Sequence, residues 1–320
     1  MDYVLLVLSL VLVLFGANYL VDGASNIAKR LGLSDFVIGL TIVAVGTSAP
    51  EMVVSCISAF NGNAQMAVGN VLGSNIFNTL VIIGLVSVFS PIKLVSNNIK
   101  KDIPFGLLAA FVLCVLGAGA FINNTSESII DRTDGILLIC FYGVFMAYTI
   151  YSSQGVKSVE LEMDKANPQK KSRFSLDIIM IIGGLVALIY GGDLFVAKAS
   201  VIARAFGVSD AVIAVTIMAV GTSLPELASS LVAAFKKNTD LALGNVIGSN
   251  ITNIFLVLGL SASINPLPVA GVKSINFVVL FLSALLMFIS AFTFKKRQID
   301  RVEGAIFLLI YIAFVGILLT

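Results

Sequence analysis

Two glutamates, Glu51 and Glu226, stand near the middle of long apolar stretches. Each closes a similar six-residue string, Gly46-Thr47-Ser48-Ala49-Pro50-Glu51 and Gly221-Thr222-Ser223-Leu224-Pro225-Glu226. An ionised carboxylate at bilayer depth is costly unless it faces a partner or a water-filled cavity. No lysine or arginine lies at matching depth in the sequence to neutralise either acid, so the simplest counter-charge is a mobile cation. Thr47 and Ser48 precede Glu51 by four and three residues, and Thr222 and Ser223 precede Glu226 by the same spacing, which puts hydroxyls and carboxylate on one helix face. Pro50 has no N–H and its ring crowds the Gly46 carbonyl, so the helix is expected to kink or unwind there. Carbonyls such as those of Ala44 and Val45 then become available as ligands, which a membrane tolerates only where the backbone lines a cavity or binds something. Ser74 with Asn78, and Ser249 with Asn253, add a hydroxyl and an amide at i, i+4. Hydroxyls, amides, carbonyls and carboxylates form an all-oxygen set suited to hard cations, sodium and calcium above all. Two carboxylates balance one divalent ion, two monovalent ions or two protons. A carrier that changes face only when those charges are satisfied is an obligatory exchanger.

The elements that must hold these groups are membrane helices. The chain of 320 residues is 58% hydrophobic and 12% charged, with mean hydropathy +1.03, whereas soluble domains run near about 45–50% and about 25%. A span needs about 20 mostly apolar residues. Ten stretches qualify: 3–28, 34–59, 66–90, 102–121, 132–152, 175–203, 209–235, 241–264, 272–293 and 302–319. The expected fold class is therefore an all-α membrane protein. Counting Lys and Arg in the short loops gives 16 on one side and 4 on the other, and the richer side should be cytoplasmic. Both termini are then outside, and the polar 153–174 loop is a cytoplasmic linker. A net charge of +2 offers nothing to a nucleic acid. The three cysteines, Cys56, Cys114 and Cys140, lie in apolar runs without metal-ligand spacing. The absence of histidine removes the usual proton shuttle near neutral pH. No GxxxxGK phosphate loop is present, so an ion gradient is the expected energy source.

Shifted by 175 residues, the chain overlays itself. Between 35–78 and 210–253, 25 of 44 positions are identical without a gap. The matches include Gly69-Asn70-Val71-Leu72-Gly73-Ser74-Asn75-Ile76 against Gly244-Asn245-Val246-Ile247-Gly248-Ser249-Asn250-Ile251. Gly69, Gly73, Gly244 and Gly248 fit close helix packing. With five spans per half, the second half enters the membrane upside down relative to the first. This gives two inverted five-helix repeats with binding expected at the midplane. The first repeat is 1–152, with its motif at 41–78, and the second is 175–320, with its motif at 216–253. Residues 16–30 recur in the second half, so the first apolar run reads as structural rather than as a leader.

The GTSAPE and GTSLPE strings, each followed by GN-V-GSNI, resemble the paired alpha repeats of the cation/calcium exchanger superfamily, in its sodium/calcium exchanger branch. The similarity covers nearly the whole chain. It implies ten helices, an ion core formed by the second, third, seventh and eighth spans, and a long tilted pair, the first and sixth, that slides to alternate access. It implies that Thr47, Ser48, Glu51, Ser74 and Asn78 are ligands in the first half and Thr222, Ser223, Glu226, Ser249 and Asn253 in the second. The carbonyls of Ala44 and Ala219 would bind sodium, and the calcium site would centre on Glu51 and Glu226. One position departs from the pattern: several family members carry aspartate where this chain has Asn253. That bears on sodium stoichiometry and leaves proton coupling open, although the proton-coupled branch typically has GN where this chain has GTS.

The leading reading is thus an antiporter in the cell membrane that exchanges Na+ for Ca2+, needs no cofactor and works as a monomer in the lipid bilayer. The runner-up is an H+/Ca2+ antiporter. A channel would more usually have its symmetry axis along the membrane normal, whereas this pseudo-symmetry lies in the membrane plane. An intramembrane enzyme is disfavoured. Tyr190-Gly191-Gly192-Asp193 only faintly matches an aspartyl-protease motif, and Asp193 aligns with Asn18 rather than with a second acid. Ser48 and Ser223 have no nearby base to activate them. Asp22 and Asp193 read as interfacial groups near span ends.

Overall fold

The computed structural model describes residues 1–123, 127–154, 174–206, 219–269, 272–293 and 297–319. The linker expected at 153–174 and the start of the span expected at 209–235 fall largely outside them. The fold is almost wholly helical. The main helices are α1 (Asp2–Leu31), α2 (Asp35–Thr47), α3 (Ala49–Phe60), α4 (Ala64–Phe89), α5 (Ile103–Gly117), α6 (Arg132–Gln154) and α7 (Phe174–Ala205). They continue with α8 (Ala219–Thr222), α9 (Leu224–Phe235), α10 (Thr239–Ile264), α11 (Ser274–Ser290) and α12 (Arg301–Leu319). Each of the ten expected stretches is helical over most of its described residues. Among the described residues, six helices are each long and apolar enough to cross a membrane, and a seventh span results if α2 and α3 count as one. Helix α1 stops because Gly32 takes a left-handed φ of 64° and turns its N–H back to the Ala28 and Lys29 carbonyls.

Burial separates core helices from lipid-facing ones. The apolar stretches of α4 and α10 are 78% and 89% buried, against 22–33% for α1, α6, α7 and α12. The latter four turn broad apolar faces outward, Val4, Val7, Leu8 and Ile312 among them, which only a hydrocarbon solvent leaves uncosted.

The chain divides into two compact units, Met1–Thr47 with Val144–Gly248, and Ser48–Gly143 with Ser249–Thr320. Each unit draws on both halves of the sequence repeat. In the first, α1 and α7 pack along their length through glycines. A Cβ on Gly16 would lie 2.8 Å from the Gly184 carbonyl oxygen, and one on Gly191 would lie 3.2 Å from that of Ser9. Subtracting or adding 175 converts one contact into the other. Ion pairs tie both ends of this helix pair: Lys198 donates to Asp2 at 2.9 Å, and Arg30 reaches the buried Asp177 at 3.5 Å, with Asn26 donating to Asp177 at 3.0 Å.

The second unit repeats the reciprocity. Strand β1 (Ile92–Lys93) pairs antiparallel with β4 (Gln298–Ile299), and β2 (Ile129–Ile130) with β3 (Leu267–Pro268). Ile92 faces Ile299 and Leu267 faces Ile130, and Ile92 and Leu267 are 175 apart in the sequence. Each pairing joins loops that the charge count places on one side of the membrane. Helices α4 and α12 cross at Gly84 and Gly304, while α10 and α6 cross at Gly259 and Gly135. Gly84 and Gly259 are again 175 apart.

Candidate functional site

Both GTS-x-PE strings fold alike. The helix breaks at the serine, with φ −77°, ψ 5° at Ser48 and φ −88°, ψ 8° at Ser223. A new helix then starts at Ala49 or Leu224 with the proline in its first turn. The expected kink is thus a clean break two residues before each proline. Pro50 and Pro225 sit where the missing N–H is one that no helix pairs. Glu51 and Glu226 follow in the first turn, beside the amide-rich end of a helix, where a negative charge is favoured by about 0.3–1 kcal/mol. Both side chains are fully buried.

The second unit holds Ser48, Glu51, Ser74, Asn78, Ser249 and Asn253, all buried. The Ser74 hydroxyl donates to Glu51 Oε1 at 3.3 Å. Asn70 donates its amide to the Glu51 backbone carbonyl at 3.3 Å and to Ser55 Oγ at 3.0 Å. Asn78 opens the π-helical turn Asn78–Ile82 and Asn253 is the second residue of another, Thr252–Val257, a local widening frequent at functional sites. Both are 0% exposed, and for both neither Oδ1 nor Nδ2 has a hydrogen-bond partner among the described residues. An unsatisfied buried amide costs about 1–3 kcal/mol, and the fold carries the same cost at two positions 175 apart.

The first unit holds Ala44, Thr47, Thr222, Ser223 and Glu226. Ala44, Thr47, Ser223 and Glu226 are buried, and Thr222 is half-buried. Ala219 opens α8, and its side chain lies outside the described residues. Helices α2 and α10 meet here on glycine. A Cβ on Gly248 would lie 2.7 Å from that of Ala44, and one on Gly39 would lie 3.0 Å from the Asn245 nitrogen. Gly244 is equally tight against the Phe36 carbonyl. Around Gly69 and Gly73 a Cβ would meet no described atom within 4 Å; residues 211–218, which match part of α2, lie outside the described set. This close approach lets Thr47 Oγ1 reach Asn245 Oδ1 at 3.2 Å, while also lying 3.4 Å from the Ala44 carbonyl. The Asn245 amide donates to Ser229 Oγ and Ser230 Oγ, both at 3.0 Å, and its nitrogen lies 3.5 Å from the Glu226 carbonyl oxygen.

Asn70, Asn245, Ser55, Ser229 and Ser230 stand around the glutamates without having been assigned a role from sequence. The signal was present, since Asn70 and Asn245 match at offset 175, as do Ser55 and Ser230. The interfacial reading of Asp22 agrees with its place: it is half-exposed and accepts from Lys236 at 2.6 Å. No group of three or more His, Cys, Asp or Glu suited to a metal ion occurs among the described residues. Each unit holds hydroxyls and one carboxylate of the predicted set, together with a buried amide.

Comparison with known proteins agrees with this chemistry. The family model described as sodium/calcium exchanger protein matches residues 1–151 and 176–320. The chain is 34% identical over 347 aligned positions to the sodium/calcium exchanger MaX1 of Methanosarcina acetivorans, covering 99% of this chain and 98% of that one. It is 35% identical over 305 to the uncharacterized membrane protein MJ0091 of Methanocaldococcus jannaschii, covering 95% and 94%. Among solved structures, the sodium-calcium exchanger NCX_Mj soaked with zero Na+ and Ca2+ superposes with a TM-score of 0.84 at 30% identity, covering 99% of this chain and 98% of that one.

Proposed function

The chain belongs to the sodium/calcium exchanger protein family, and on that premise we propose that it exchanges Na+ for Ca2+ across the cell membrane by alternating access. It is a multi-pass membrane protein and a cation/calcium antiporter, not an enzyme. The finer reading assigns the ions to oxygens of Thr47, Ser48, Glu51, Ser74, Asn78, Thr222, Ser223, Glu226, Ser249 and Asn253, with the Ala44 and Ala219 carbonyls as sodium ligands.

The observation that carries this reading is the pair Asn78 and Asn253. Each is a fully buried amide whose oxygen and nitrogen lack hydrogen-bond partners among the described residues, and a passing cation satisfies Oδ1. Glu51 and Glu226 supply negative charge from the first turns of α3 and α9. Two carboxylates match one Ca2+ or two Na+, so the two ions compete and exchange becomes obligatory.

We further read the chain as ten membrane helices in two inverted repeats, with both termini outside. The reciprocal contacts support this: Gly16–Gly184 with Gly191–Ser9, and Ile92–Ile299 with Leu267–Ile130. Such exchange of partners is what a twofold axis relating the halves produces. The glycine seam and terminal ion pairs of α1 and α7 favour their sliding together as one body.

The test is uptake of Ca2+ into liposomes that contain the protein and are loaded with Na+. Wild type takes up Ca2+ when Na+ is diluted outside, and Glu51→Gln or Glu226→Gln abolishes uptake while the protein still elutes as a folded species. Uptake that ignores the Na+ gradient and follows a pH gradient overturns sodium coupling.

A further inference from the structure

Asn245 lies on α10 but joins two other helices. Its amide nitrogen faces the hydroxyls of Ser229 and Ser230 on α9 and the carbonyl of Glu226. The Ser229 hydroxyl spends its own proton on the Pro225 carbonyl at 2.7 Å, so it accepts from Asn245. A backbone carbonyl can only accept. These neighbours fix which end of the amide is nitrogen, and therefore leave Oδ1 toward Thr47 on α2, 3.2 Å away. Asn245 is fully buried, where α2 and α10 approach closely at Gly39 and Gly248.

A hydroxyl has one proton and two lone pairs. When the Thr47 proton is directed at Asn245 Oδ1, the lone pairs of Thr47 Oγ1 turn the other way, toward whatever the hydroxyl binds. This is how outer-shell acceptors orient ligands in metal sites. We infer that Asn245 is a positioning residue: it presents the Thr47 oxygen to a transported cation and holds the α9 turn that carries Glu226. Asn70 makes the matching contacts to the Glu51 carbonyl and to Ser55, so the glutamate-holding half of the device is built twice. The inference rests on the reading of Thr47 as a cation ligand.

The experiment is a double-mutant cycle in Na+-loaded liposomes, reading the half-saturating Ca2+ and Na+ concentrations separately from the maximal exchange rate. The variants are Asn245→Ala, Thr47→Val and both together. Loss of one hydrogen bond of ordinary strength corresponds to about a five-fold weaker half-saturation. Each single variant is expected to show it in the half-saturating concentrations, which are read apart from the maximal rate. The double variant is expected to remain near five-fold, because the two residues act through one contact. Independent losses would instead multiply to about twenty-five-fold, and that result overturns the inference while leaving the exchanger reading intact. Unchanged half-saturation in Asn245→Ala, with only a lowered melting temperature, overturns it as well. Should Asn245→Ala fail to fold, Asn245→Ser takes its place, since a serine is too short to reach Thr47 and is expected to give the same shift. A wild type that moves Ca2+ without any need for Na+ overturns the function itself, and this inference with it.

Discussion

Replacing Asn253 by leucine separates a ligand from a structural amide by the sign of its effect. Asn253 is fully buried, and among the described residues both its amide atoms lack hydrogen-bond partners. Leucine is of similar size and has no polar atom to satisfy, so removing the amide relieves about 1–3 kcal/mol. In ion-free buffer the variant should therefore melt at a higher temperature than wild type. Calcium should narrow that lead, because it stabilises wild type more than the variant. At a concentration of 100 times Kd, ligand binding adds about 2.7 kcal/mol to wild type. A lost charged-group contact of about 1.5–3 kcal/mol weakens binding so far that the same concentration adds only about 0.3–1.3 kcal/mol. The assay is thermal unfolding in detergent, with chelator and then with Ca2+. Asn78→Leu should behave alike. A variant that melts lower than wild type in chelator, yet gains as much from Ca2+, would refute the reasoning, because the amide would then be structural and not a ligand.

Other expectations follow from geometry outside the ion clusters. Gly16→Leu places its first carbon 2.8 Å from one backbone atom and 2.9 Å from another, neither of which can yield, so it should destabilise by more than about 1–3 kcal/mol in thermal unfolding. Gly143→Ala, whose Cβ meets no described atom within 4 Å, should keep or raise stability, by up to about 1 kcal/mol, in the same assay. Arg30→Gln removes the guanidinium 3.5 Å from the buried carboxylate of Asp177 and should destabilise by about 1–3 kcal/mol. Asp22→Asn breaks an ion pair whose side chains are 53% and 33% exposed and should change stability by less than about 1 kcal/mol.

Much of this was legible in the sequence. Apolar run length locates the helices because a bilayer allows little else to span it, and the offset of 175 locates both glutamates because chance does not repeat rare polar residues in order. Pro50 signals a discontinuity, but not that the break falls at Ser48 with the proline inside the next helix; that depends on which N–H groups the local fold leaves unpaired. The π-helical turns at Asn78 and Asn253 leave no mark in apolar periodicity, since one extra residue per turn shifts the pattern by less than the spacing of these mixed stretches reveals. Asn70 and Asn245 were visible as matched residues, yet a sequence cannot say whether an amide faces an ion or a neighbouring carbonyl. Only the positions of Ser229, Ser230 and the Glu226 carbonyl decide it for Asn245.

The exchanged contacts of the two halves carry a consequence for how such a molecule can be assembled. Gly16 meets Gly184 while Gly191 meets the backbone of Ser9, so each half offers the surface that the other requires. A chain with two identical halves would satisfy these seams with itself, and so would two separate half-length chains inserted in opposite directions. One half alone leaves its glycines facing lipid, where a bare backbone surface has nothing to fill it. The covalent link between the halves therefore guarantees equal numbers and opposite insertion more than it creates any contact. Once that guarantee exists, the halves are free to diverge residue by residue, as the lysines at 236 and 237 opposite Asn61 and Gly62 already show.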